Sequence, residues 1–275
     1  MIYLLATLRI LILSAVTFFL LVVFMFYFFQ HKLIFFPYSN LSLTPTNYGL
    51  SHENITISID DENYINGWFF EGDNNKPVIL FFNGNGGNKS HHIERAVFFK
   101  NLGFSSMLFD YRGYGNSKGK ISEKNLYHDG NLCLNFLKSV KNFDHSNIIL
   151  WGWSLGGAVA ARTAQNQNIK ALILESSFTN IKEVGSHHYP FFPVKTMAKF
   201  KFETDNYIKN VTSPILIFHS SDDEIIPFYM GKKLFSLIEN NSQNSFHVIN
   251  GSHNESFYIS QNIIESALKD FILKH

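Results

Sequence analysis

Cysteine is almost absent: Cys133 stands alone among 275 residues. No intramolecular disulfide can form, and the leucines at 132 and 134 place this thiol in an amphipathic helical pattern as a buried core group. Blocks of one charge are missing too. Lys and Arg total 23 against 22 Asp and Glu, a net +1, so no basic footprint for nucleic acid exists. The chain has no internal repeat and no HExxH spacing. The pairs His91-His92 and His187-His188 lack a companion cysteine or carboxylate cluster and are expected as surface or cap histidines, with no metal site.

Apolar residues, by contrast, are plentiful: 45% of the chain, with 29 Phe and 12 Tyr, enough for one sizeable core. Ile10 to Phe29 reads as twenty uncharged residues. As a helix rising about 1.5 Å per residue, that run spans a ~30 Å hydrocarbon layer. A secretory signal would end at small residues, whereas Phe28-Phe29-Gln30-His31-Lys32 offers no such site, and a buried globular helix is seldom apolar all round. The expectation is an uncleaved anchor, residues 1–37, with the span at about 10–29. Arg9 and the terminal amine against Lys32 and His31 tilt the balance toward a cytoplasmic N-terminus and an extracytoplasmic catalytic domain in a single-pass membrane protein.

Residues 38–53 read as a connector into alternating Ile55, Ile57 and Ile59, a turn at Asp60 to Asn63, then Ile65, Trp68 and Phe70, an antiparallel hairpin. Short apolar runs follow at Val78 to Phe82, Ser106 to Phe109, Ile148 to Trp151, Ala171 to Leu174, Ile215 to Phe218 and Phe246 to Ile249. They alternate with helical patterns such as Leu126, Cys133, Leu137 and Val140, or Ile264, Leu268 and Ile272. Such alternation predicts an α/β fold, a mostly parallel sheet covered by helices on both faces, over residues 38–275. The stretch from about 177 to 213 breaks the rhythm and is expected to form a small cap over the carboxyl edge of the sheet, where open sheets place ligands.

The sharpest signal is the run Ile148 to Trp151, then Gly152-Trp153-Ser154-Leu155-Gly156, then Ala158 to Ala161: strand, GxSxG, small-residue helix. A nucleophilic serine on a cramped strand-to-helix turn tolerates only tiny neighbours two residues away, which Gly152 and Gly156 supply. The helix behind it aims its first N–H groups and positive dipole end at the site, making Leu155 N–H a candidate oxyanion donor. A serine hydroxyl needs a histidine to accept its proton and a carboxylate to hold that histidine. Among 12 histidines, His253 sits in a Gly-containing loop just past the final strand, while His247 lies inside that strand. Asp222, Asp223 and Glu175, each near a strand end, remain open as the acid. Chain order is Ser, then Asp, then His.

These residues resemble the alpha/beta-hydrolase superfamily, specifically its membrane-anchored serine hydrolases, relatives of protein depalmitoylating enzymes. The likeness runs over nearly the whole chain and rests on the Phe82-Asn83-Gly84-Asn85-Gly86-Gly87-Asn88 loop, the Asp110 to Ser117 motif, the GxSxG turn, and the Asp and His loops. The resemblance implies that the acid is Asp223, four residues after His219 and four before Pro227, and that Asp222 is a solvated neighbour. It implies a second oxyanion donor at Asn85 N–H, although Asn83 replaces the usual histidine of that loop. The Asp110 to Ser117 motif is expected to buttress the site, with tight turns at Gly113 and Gly115.

The expected chemistry is acyl transfer to water from an ester or thioester through Ser154, His253 and Asp223, without metal or organic cofactor, on a small-molecule or acylated substrate near a lipid membrane. A serine peptidase or amidase on the same fold is the second reading, and a membrane-anchored binding protein retaining the hydrolase fold the third. Phe191, Phe192 and Phe200 either line an acyl pocket or pack the cap internally.

Overall fold

The protein is described here by a computed structural model over residues 2–238 and 240–274; the expected outer bounds 1 and 275 lie outside these described residues. Helix α1 (Ile2–Ile34) comes first and buries none of its residues. It is the one described helix long and apolar enough to cross a membrane. A connector follows, holding a short 3-10 turn at Pro45–Tyr48.

The strands of the main sheet are β1 (Glu53–Ser58), β2 (Tyr64–Phe70), β3 (Val78–Phe82), β4 (Ser105–Phe109), β5 (Ile148–Trp153), β6 (Ala171–Glu175), β7 (Ile215–Ser220) and β8 (Ser245–Ile249), while Phe36–Pro37 and Gly86–Gly87 pair in a separate two-stranded sheet. Strands β1 to β8 form one eight-stranded sheet in the order β8-β7-β6-β5-β3-β4-β2-β1. Strand β2 runs antiparallel to both neighbours, and the remaining pairs are parallel. The hairpin read from Ile55 to Phe70 is thus the antiparallel edge of a mostly parallel sheet.

Helices α2 (Ile93–Asn101), α3 (Glu123–Ser139), α4 (Leu155–Ala164), α8 (Phe228–Ser236) and α10 (Gln261–Lys274), the last preceded by the one-turn α9 (Ser256–Ile259), cover the faces. The central strand β3 is apolar and buried at every position because both its faces are covered. Val78, Leu80 and Phe82 of β3 join Leu126 and Cys133 of α3 and Val159 of α4 in one core. Ile79 and Phe81 point the other way, to Phe99 of α2 and Leu268 of α10. Cys133 is fully buried, as its leucine neighbours predict. Val140 departs from the pattern: α3 ends at Ser139, and Val140, one residue past the last turn, is 60% exposed.

Between β6 and β7 the expected cap is present as α5 (Ile181–His188), α6 (Val194–Met197) and α7 (Thr204–Tyr207). It is not isolated from α1. Gln30 of α1 donates to Met197 O at 2.9 Å and accepts from Lys199 N–H at 2.8 Å. Phe192 packs on the rings of Phe19 and Phe26, with centroids 5.6 and 5.0 Å apart.

Candidate active site

Ser154 joins β5 to α4 with φ 54° and ψ −122°, a left-handed backbone held where a side chain is costly. Packing enforces the turn. A Cβ on Gly152 would meet Gly156 O and Gly157 Cα, and one on Gly156 would run into the main chain of Phe82 and Asn83. Hydrogen bonds fix it further: Ser154 N–H donates to Glu175 O at 2.9 Å, and Ser177 Oγ donates to Ser154 O at 3.0 Å.

His253 follows β8, and its Nε2 lies 3.0 Å from Ser154 Oγ. Its Nδ1 lies 2.8 Å from Asp223 Oδ2 and 3.0 Å from Oδ1. With the proton on Nδ1, that nitrogen donates to the carboxylate and Nε2 accepts from the serine hydroxyl. All three residues are buried. The imidazole stacks on Trp153, centroids 5.3 Å apart, and the His253 N–H donates to Glu224 Oε2 at 3.0 Å.

Asp223 sits past β7, where Oδ1 accepts the N–H groups of Ile225 and Ile226 at 3.0 and 2.7 Å. Burial pushes its pKa upward, but the bond and charge of His253 and the Ile226 N–H outweigh it, and the carboxyl titrates below its ordinary value. It is therefore ionised and oriented at neutral pH. Asp222 is exposed. Glu175 is committed elsewhere: both oxygens take Arg95, at 2.6 and 2.7 Å, and Trp151 Nε1 donates to it at 2.9 Å.

Leu155 opens α4, so its N–H has no partner within the helix. Asn85 is tied at its other groups: its carbonyl accepts Phe36 N–H and the Tyr114 hydroxyl, each at 2.9 Å, and its amide donates to Ile34 O at 3.0 Å. Neither N–H has an acceptor among the described residues. In the place of a loop histidine, the buried Asn83 donates to Phe109 O at 2.7 Å, bracing β3 against β4. Gly84 gives room for Trp153, whose ring would lie 2.8 Å from an added Cβ.

The Asp110 to Ser117 segment braces the neighbouring loops. Asp110 takes the Lys89 N–H and ammonium at 2.6 and 2.5 Å, and Arg112 Nε donates to Asp129 at 2.6 Å. Gly113 and Gly115 turn the chain at φ 82° and 49°. His92 departs from the expected surface role: it is buried against Phe81 and Trp153, and desolvation holds it neutral with its pKa well below the usual value. His187 and His188 are exposed on α5. No group of three or more potential metal ligands occurs among the described residues.

Ser154, Leu155, His253 and Asn85 line a cavity of about 470 Å³. The three aromatics left open by the sequence divide: Phe192 lines this cavity, Phe200 packs on Phe35 at 5.3 Å, and Phe191 is 87% exposed. Phe26, Gln30, Leu33 and Ile34 of α1 also form its wall. Their sequence context marks them only as part of the expected anchor. The polar Gln30 closing an apolar run was the one local sign of a second role.

A family model described as alpha/beta hydrolase fold matches residues 77–206, including Ser154. An uncharacterized protein of Mycobacterium tuberculosis is 30% identical over 246 residues, 88% of this chain and 87% of the relative. The lysophosphatidylserine lipase ABHD12 of Rattus norvegicus is 34% identical over 183 residues, 59% of this chain and 46% of that lipase. An esterase of Pyrococcus furiosus shares the fold with a TM-score of 0.71 at 17% identity, over 88% of this chain and 98% of its own.

Proposed function

Because this chain belongs to the alpha/beta-hydrolase superfamily, we propose that it is a membrane-anchored serine hydrolase that cleaves acyl esters through Ser154, His253 and Asp223. The observation that carries the reading is the unbroken relay from Ser154 Oγ through His253 to Asp223, with bonds of 3.0 and 2.8 Å, whose Ser154 and His253 line a largely apolar cavity.

In this mechanism His253 Nε2 takes the hydroxyl proton as Ser154 Oγ attacks the acyl carbonyl. The negative oxygen forms between Leu155 N–H and Asn85 N–H, aided by the positive end of α4. His253 then gives the proton to the leaving alcohol or thiol, the acyl-enzyme forms, and a water activated by the same imidazole releases the acid. Asp223 holds the tautomer and balances the imidazolium. Residues 1–37 are the anchor, with the span at about 10–29, and residues 38–275 the catalytic domain, with its cap at about 177–213. Likeness to a lysophosphatidylserine lipase supports a lipid ester as substrate.

Ser154→Ala is expected to lower turnover about a millionfold and to abolish labelling by a fluorophosphonate, which reacts only with an activated serine. Equal labelling of both proteins, or none of either, rejects the assignment. A panel of ester, thioester and aminoacyl substrates separates acyl hydrolysis from the peptidase reading.

A further inference from the structure

The cap and the anchor helix meet at a level that the sequence did not foretell. The apolar run of α1 ends at Phe29, and Phe19 lies ten residues earlier, which is about 15 Å along a helix and half of a ~30 Å hydrocarbon layer. Phe192 of the cap touches both Phe19 and Phe26, and Tyr189 packs edge-on against Phe26 at 5.4 Å. Lys199 of the cap lies 3.8 Å over Tyr27, and Lys32 lies 5.6 Å over Phe29, where long cationic side chains reach for the headgroups. If α1 spans the bilayer, a cap fastened to it by Gln30 cannot stand clear of the lipid.

The exposed residues tell the same story. Phe191, at the cap tip, is 87% exposed and does not line the Ser154 cavity. Phe36, Tyr189 and Ile225 line that cavity and are also 48%, 41% and 39% exposed, so they mark its rim. The rim is therefore mostly apolar, with His188 and Asn254 as its exposed polar members, and lies in the seam between α1, the cap and the loop carrying Asp223. In water such a surface is costly; beside a membrane helix it continues the lipid-facing surface.

Resting on the hydrolase reading above, we propose that the cap tip, residues 189–192, is embedded in the leaflet that surrounds the C-terminal half of α1. The acyl chain of a membrane-resident ester then slides between α1 and the cap, past Phe26 and Phe192, to bring its carbonyl to Ser154 without crossing water. The α1 helix is thus both anchor and one wall of the acyl site.

Two measurements on the full chain in phosphatidylcholine vesicles test this. In the first, a nitrobenzoxadiazole dye is attached at Phe191→Cys, Cys133 being fully buried. Emission typical of hydrocarbon, quenched by nitroxides on mid-chain lipid carbons and shielded from aqueous iodide, is expected; a dye that iodide quenches freely overturns the proposal. In the second, Phe191→Asp should lower hydrolysis of a long-chain lipid ester in the vesicles at least about tenfold while a soluble short-chain ester is cleaved within about twofold of wild type. Unchanged lipid hydrolysis, or an equal fall on both substrates, overturns it. The dye reads depth without any turnover, so an inert Ser154 would sink the hydrolase reading alone.

Discussion

Glu175, Asp222 and Asp223 all stand at or just past strand ends, and what surrounds each carboxylate decides its use. Asp222 faces solvent, Glu175 is locked in a buried fork with Arg95, and Asp223 receives two main-chain N–H groups that leave its remaining oxygen for His253. Two variants should separate these roles. Arg95→Met leaves Glu175 buried without its partner and should destabilise the fold by about 3–5 kcal/mol, read as a lower thermal midpoint in detergent. Asp223→Asn should keep a near wild-type midpoint and lose about ten-thousandfold in kcat, because the amide favours the wrong imidazole tautomer. An Arg95→Met protein as heat-resistant as wild type, or an Asp223→Asn protein near full turnover, contradicts the division.

At the level of elements, the β5–turn–α4 unit was the most legible part of the chain because its signals are local. Strand, glycine spacing and small-residue helix occupy seventeen consecutive positions, 148–164, and the structure supplies the reason in the main-chain approach of Gly152 and Gly156. Gly156→Val would force a branched side chain onto the carbonyls of Phe82 and Asn83. A loss of about 3 kcal/mol or more is expected, with fluorophosphonate labelling lost at temperatures where wild type reacts. A folded, reactive Gly156→Val protein would remove this account of the turn. Less legible was the fate of His92, whose burial depends on Phe81 and on Trp153, sixty-one residues away. Glu224, which holds the His253 main chain, was hidden for a related reason, since an exposed acid beside Asp223 carries no pattern of its own.

For the whole molecule, alternating strands and helices made the sheet readable, because each run reports its own burial. The joining of α1 to the cap was not, since Gln30 and Met197 are 167 positions apart and no periodicity links them. The sequence presents α1 and the hydrolase domain only as neighbours joined by a connector, whereas residues of both line one cavity. On the reading proposed above, a site walled by its own anchor meets substrate as a mole fraction within a surface and not as a bulk concentration. Adding inert phospholipid to vesicles at constant total enzyme and ester should slow hydrolysis in proportion to the dilution of ester in the plane, and stirring or viscosity of the water phase should leave the rate alone. A rate that follows the bulk ester concentration instead would show that encounter takes place in three dimensions, with the helix serving only to hold the molecule in place.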